Sequence, residues 1–286
     1  MKKVISIIIL LSIIISSSIV VFAGKTDNEV VSLGQDLTQE QKQEMLEFFG
    51  ANEDVKVIEV TNQEEREYFG DYIDESLIGS KAISSVYVEK LPEGEGITVE
   101  KTDNITWVTE DMYKNACVTA GIEDAKIIVA CPMKASGTAA LTGVLKAFED
   151  ITGEEISEEE KSISSEEIAK TAKLGSTIGK EKAQELINNV KMYIIENNIK
   201  DENSIEDVIK QVSEDLSIEL TQEQIDEIIS LMKGISRLDL DIDHIKDQLS
   251  DIAGRINEIS EENTEIKSLL QRIIDFIVDF FRRIFE

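Results

Sequence analysis

Toward the end of the chain, Ile228, Leu231, Ile235, Leu238, Ile242, Ile245, Leu249, Ile252, Ile256 and Ile259 recur at alternating spacings of three and four. That is a heptad seam, and it continues through Ile266, Leu270, Ile273, Ile277, Phe280 and Ile284 with only Asn263 breaking the apolar pattern. A regular helix over 228–284 would be roughly 85 Å long at about 1.5 Å per residue. Such a length exceeds one small domain, so the seam calls for a second partner or a bend, and Ser260 to Thr264 has the residues for a bend. Asn263 could instead set the register of an oligomer.

Beyond Glu265 the stripe widens. Leu269, Phe276, Phe281 and Phe285 join Ile273, Ile277 and Phe280, leaving Gln271, Arg272, Asp275, Asp279, Arg282 and Arg283 on the polar side. A helix apolar around more than half its girth, carrying aromatics and arginines, suits a membrane surface or a deep groove. Folding back on its own core is the alternative.

Earlier in the chain the periodicity changes. Thr38 with Gln41 forms a capping box for a helix through Met45, Leu46, Phe48 and Phe49, stopped at Gly50. Residues 55–60 read as a strand, and Asn62 opens a short helix to Phe69. Residues 82–91 and 97–108 read as strands joined through Pro92-Glu93-Gly94-Glu95-Gly96, a hairpin by its residue types. Thr109 caps a helix ending at Gly121, and residues 125–130 form the most apolar strand. The order βαββαβ predicts an α+β fold with a ferredoxin-like N-terminal body and flanking helices. An all-helical C-terminal half follows, ending in the long amphipathic helix. The expected divisions are 1–23, 24–150, 151–220 and 221–286. Within the third, residues 157–165 read as a charged linker or mobile helix, followed by helices over 168–174, 178–196 and 205–216. Thr221 with Gln224 opens the last helix with another capping box.

Residues 1–23 carry Lys2 and Lys3, an apolar run broken only by serines, and Val21-Phe22-Ala23. This is an export signal, cleaved after Ala23 on the better reading, although its apolar run of about 18 residues is long enough to stay as an anchor. Without it the chain keeps 27 basic and 58 acidic side chains, a net −31. That charge repels phosphate backbones and anionic headgroups. Nucleic acid is therefore not an expected partner, and any membrane attachment has to come from apolar burial by the tail.

Chemistry-bearing residues are sparse. The two cysteines, Cys117 and Cys131, fall at the far ends of a helix and the following strand, on the order of 10 Å apart by element rises, so free thiols are expected. With His244 as the single histidine, neither a zinc site nor a Ser-His-Asp triad has its parts, and no metal or cofactor is expected. The most site-like stretch is Lys134-Ala135-Ser136-Gly137-Thr138, where Pro132 stops a strand and a helix of small residues begins. Backbone N–H groups there can hold an anion, with Lys134, Ser136, Gly137 and Thr138 as candidate contacts. An ordinary helix cap is the plainer alternative. Ser136 as a nucleophile would need a base, and Lys134 is the nearby candidate.

Val31-Ser32-Leu33-Gly34 with Leu37-Thr38 and Glu40-Gln41, residues 60–66, Ile83-Ser84-Ser85-Val86-Tyr87-Val88, residues 104–109 and Ser136-Gly137-Thr138-Ala139-Ala140-Leu141-Thr142-Gly143 together resemble the YpuA-like family of exported Firmicute proteins, a family of unknown function. The resemblance runs from about Val31 to Asp241. It implies a bacterial cell exterior and brings no activity, substrate or catalytic residue. The expectation is an exported, non-enzymatic cell-envelope protein. Leu269, Ile273, Phe276, Ile277, Phe280, Phe281 and Phe285 would contact a membrane surface or a protein partner. A small-anion binder or hydrolase at Ser136–Thr138, or a homo-oligomer through the seam, are the alternatives.

Overall fold

The computed structural model describes residues 28–238 and 240. Its sheet is built from two parallel βαβ units on either side of one antiparallel strand. In the first unit β1 (Glu29–Gly34) leads through α1 (Gln39–Phe48) to β2 (Lys56–Val60), with Val31 beside Val57. In the second, β4 (Ile97–Lys101) leads through α4 (Glu110–Thr119) to β5 (Ala125–Ala130), with Val99 beside Ile127. Strand β3 (Ser85–Lys90) pairs antiparallel with both β1 and β5, giving the order β2-β1-β3-β5-β4.

This corrects the ferredoxin-like expectation on two counts. First, β3 and β4 are not a hairpin, because β5 lies between them. The Pro92–Gly96 connection does turn, but Asp124 at the foot of β5 holds it. Its carboxylate accepts from the Gly96 N–H at 2.6 Å and its carbonyl from the Leu91 N–H at 3.1 Å. The alternation along β4, with Ile97 and Val99 buried and Thr98 and Glu100 exposed, suits an edge strand. Second, β1 is an additional strand, buried from Val30 onward and hydrogen-bonded on both sides.

One sheet face, with Val31, Leu33, Tyr87 and Ala130, packs on Leu37, Met45 and Phe49 around α1. The other face, with Val30, Val86, Val88, Ile127 and Val129, packs on α4 and on α5 (Thr138–Thr152). Small residues let α5 lie close: a Cβ on Gly143 would stand 2.8 Å from Ser32 Oγ. Between β2 and β3 run α2 (Asn62–Phe69) and α3 (Glu75–Ile78). Thr61 and Glu64 form the capping box of α2, one residue before the expected cap.

Among the described residues the chain after α5 is helical, as expected: α6 (Glu158–Ile178), α7 (Lys180–Glu196), α8 (Glu202–Asp215) and α9 (Gln222–Ile235). Of the two readings of residues 157–165, linker or mobile helix, the helical one is found: the stretch is the start of α6, a helix of 21 residues capped by Ser157 and Glu160. Its acidic first turn favours a helix N-terminus, and Ile163 and Ile168 bury its inner side. A second core forms where α7, α8 and α9 meet. It takes in Ile228, Leu231 and Ile235, so the first turns of the heptad seam are spent inside the protein. Helix α9 opens with the predicted Thr221–Gln224 box and ends at Ile235, capped by Ser236. The seam is therefore not one unbroken helix from 221, and its continuation beyond residue 240 lies outside the described residues. Among the described residues no helix is long and apolar enough to cross a membrane.

Candidate functional site

The start of α5 follows β5 at the carboxyl end of the sheet. Gly137 is its N-cap, with φ of 104°, a backbone region suited to glycine. A side chain there would also collide, since a Cβ would stand 2.4 Å from the Tyr113 hydroxyl and 2.7 Å from Ile105 Cγ2. The buried Tyr113 hydroxyl donates to the Gly137 carbonyl at 2.6 Å and locks the turn. Lys134 is exposed, Ser136 half-buried, and Gly137 and Thr138 buried.

What occupies the helix start is a carboxylate from the chain itself. Glu65 of α2, 2% exposed, accepts from the Thr138 hydroxyl through Oε1 and from Asn62 Nδ2 at 3.1 Å through Oε2. Ser136 Oγ lies 2.9 Å from Thr138 Oγ1, which extends the network toward the surface. The Ala140 N–H donates to Ser84 Oγ at 3.0 Å. Burial pushes the Glu65 carboxyl above the usual carboxylate range, against the Thr138 and Asn62 hydrogen bonds, the Arg66 charge and the Ala139 N–H, which pull it down. Lys134 takes no part in this network. The arrangement can order two hydroxyls and store a proton on Glu65, and its anion position is filled from within.

The neighbouring crevice is filled as well. Sheets of this kind bind ligands at the carboxyl ends of their strands, where the strand order reverses. Here the segment leading into β3 fills that place. The Asp36 N–H donates to the Ala82 carbonyl at 3.1 Å, and the Ala82 N–H returns a bond to Asp36 Oδ2 at 2.8 Å. Chain packing is so close that a Cβ on Gly34 would meet Ala82 O at 2.5 Å.

Cys117 and Cys131 are free and buried. Burial raises both thiols, Cys117 to about 12, so neither offers a thiolate near neutral pH. A groove of about 320 Å3 between α2, α5 and α6 is lined by Glu64, Glu67, Glu149, Lys146, Lys161 and Tyr68, among others. Its lysines are committed to the chain's own acids, Lys146 to Glu64 at 2.5 Å and Lys161 to Glu149 at 2.9 Å. Among the described residues no cluster of histidine, cysteine or acidic side chains could hold a metal.

Sequence reasoning missed a second polar cluster. Lys191 of α7 and Glu167 of α6 form a buried ion pair at 3.0 Å, with side chains 0% and 2% exposed. Lys191 Nζ also donates to Thr119 Oγ1 at 2.6 Å and to the Asn115 carbonyl at 3.1 Å. The Thr119 hydroxyl donates to Glu167. The available signal was Gln184, Asn188 and Lys191 recurring on one side of a helix whose other side is aliphatic.

A family model described as a protein of unknown function (DUF1002) matches residues 33–252. The chain belongs to the DUF1002 family. It is similar to the uncharacterized protein YpuA of Bacillus subtilis (strain 168), with 38% identity over 256 residues, 89% of this chain and 88% of the relative. The resemblance read from the motifs is therefore correct. No solved structure matches the chain. The DUF1002 match takes in the Glu65–Thr138 network and the Glu167–Lys191 pair and stops short of the Phe-rich tail. Leu269, Ile273, Phe276, Ile277, Phe280, Phe281 and Phe285, like His244, lie outside the described residues.

Proposed function

We propose that this protein is an exported, non-enzymatic component of the cell envelope, attached to the membrane surface or to a protein partner through residues 265–286. The observation that carries this reading is Glu65 at the start of α5: the one site-like feature of the sequence is already satisfied by the chain's own carboxylate. Both thiols are buried, and the lysines of the α2–α5–α6 groove are paired. The apolar side of the tail, with Phe276, Phe280, Phe281 and Phe285, supplies the side chains for that attachment. Because the chain is strongly acidic, that contact rests on apolar burial rather than on attraction to anionic headgroups. Export rests on residues 1–23. An anion binder or hydrolase working from Ser136 and Thr138 would first have to expel Glu65.

Deleting residues 265–286 tests the proposal. The truncated protein is expected to leave the membrane fraction while keeping the circular dichroism of a folded body. Unchanged partitioning would overturn attachment by the tail. Assembly through residues 241–260 would show instead as a multiple of the monomer mass that persists after the truncation.

A further inference from the structure

Helices α7, α8 and α9 supply nearly all of their own core. Apart from Ile163 and Leu174 of α6, every buried residue of the helical core lies between Ala183 and Ile235. The bonds that tie this three-helix unit to the rest of the chain are polar. Toward α4, Lys180 Nζ donates to the carbonyls of Thr106 and Trp107 at 3.0 and 3.3 Å, and Lys191 Nζ donates to the Asn115 carbonyl and to Thr119 Oγ1. Toward α6, Lys191 pairs with Glu167, Lys170 Nζ donates to the Glu227 carbonyl at 2.9 Å, and Lys173 pairs with the Glu227 carboxylate at 2.5 Å. Met192 and Ile195, which rest on the sheet core, are only partly buried. Ties of this kind fix an orientation more than they stabilise it. Exposed ion pairs contribute little, and a buried pair whose two members both return to water recovers its desolvation cost.

The joint is one residue long. Gly179 is both the C-cap of α6 and the N-cap of α7, with φ of 98° and ψ of 142°, a conformation suited to glycine. Apart from its chain neighbours, no atom stands within 4 Å of a Cβ built there, so the corner is not packed in place. Hinges are typically a few residues at element ends that absorb a change in φ and ψ. Polar interfaces between parts of one chain generally permit relative motion.

We propose that α7, α8 and α9 form an arm that swings as a unit about Gly179, uncovering the polar stripe of Lys180, Gln184, Asn188 and Lys191 while the arm's own core stays closed. The arm leads into residues 241–286, so the swing would reorient the sheet body relative to the tail, whatever the tail contacts. Native-state thiol labelling of the full chain at several urea concentrations tests this. Gln184→Cys or Asn188→Cys places a thiol on the polar stripe, where both positions are 6% exposed. Ala183→Cys or Val190→Cys places one in the arm's core, and Lys210→Cys gives an exposed reference. The stripe thiol is expected to react at least about tenfold faster than the core thiol, far more slowly than the exposed one, and with weaker urea dependence than global unfolding. Stripe and core thiols reacting at one rate, with the full urea dependence of unfolding, would overturn the proposal. So would a stripe thiol as fast as the one at position 210, because it would then be reached without any motion.

Discussion

Replacing Lys191 with methionine keeps most of the side chain's volume and removes its charge. Glu167, with its side chain 2% exposed, would then hold a carboxylate deep in the protein with Thr119 as its remaining hydrogen-bond donor. Breaking a buried ion pair from one side costs about 3–5 kcal/mol, because the surviving charge stays desolvated. Against a total stability of about 5–15 kcal/mol this is a large fraction. With a urea dependence of about 2 kcal/mol per M, the unfolding midpoint should fall by roughly 2 M. The double variant Lys191→Met/Glu167→Leu removes both charges. It should recover most of the loss and give a coupling of at least about 2 kcal/mol in a double-mutant cycle. Urea unfolding followed by circular dichroism and by the fluorescence of Trp107, the single tryptophan, measures this and shows whether the two cores unfold together. A cost below about 1 kcal/mol for Lys191→Met, or a double variant equal to the sum of the singles, would refute the reasoning.

The raised Glu65 pKa sets a sign. Its contribution to stability is fully present below the ordinary carboxylate value and is lost as pH rises through the raised folded value. Glu65→Gln should therefore gain stability relative to wild type between about pH 4 and 7 in chemical denaturation, and a relative loss would contradict burial as the dominant cause. Gly137→Ala combines a positive φ with collisions against Tyr113 and Ile105. A loss of about 2–4 kcal/mol is expected from backbone strain and overpacking, and an unchanged melting temperature would show that the turn relaxes. Cys117, buried with its thiol pushed to about 12, should react with a thiol reagent only as fast as the protein opens. Rapid labelling of the native chain would contradict its placement.

Most elements were legible because their end signals are local. The boxes at Thr38–Gln41 and Thr221–Gln224 and the cap at Thr109 stand where the residues place them. Strand pairing was not legible, because it depends on contacts far apart in sequence. Pro92–Gly96 has hairpin composition, yet Asp124 binds it to β5 instead. Strand β1 was hidden because it follows polar residues 24–29, and its partners lie 26 and 58 positions further on at Val30. At the candidate site, the small-residue helix start was readable from Ser136 to Gly143. Its occupant was not, because Glu65 lies 73 residues away and sits among other glutamates in an outwardly ordinary helix. The heptad spacing also could not distinguish a seam buried at home from one awaiting a partner. Ile228, Leu231 and Ile235 belong to the first kind.

Flotation of the purified chain lacking residues 1–23 with neutral phosphatidylcholine vesicles, compared with the same chain cut at residue 264, tests attachment by the tail most directly. If residues 265–286 hold lipid by apolar burial, the longer chain floats at low and at high salt while the shorter one stays at the bottom. A longer chain that remains with the shorter one at every salt concentration, and shows no larger mass by light scattering, would contradict the attachment account.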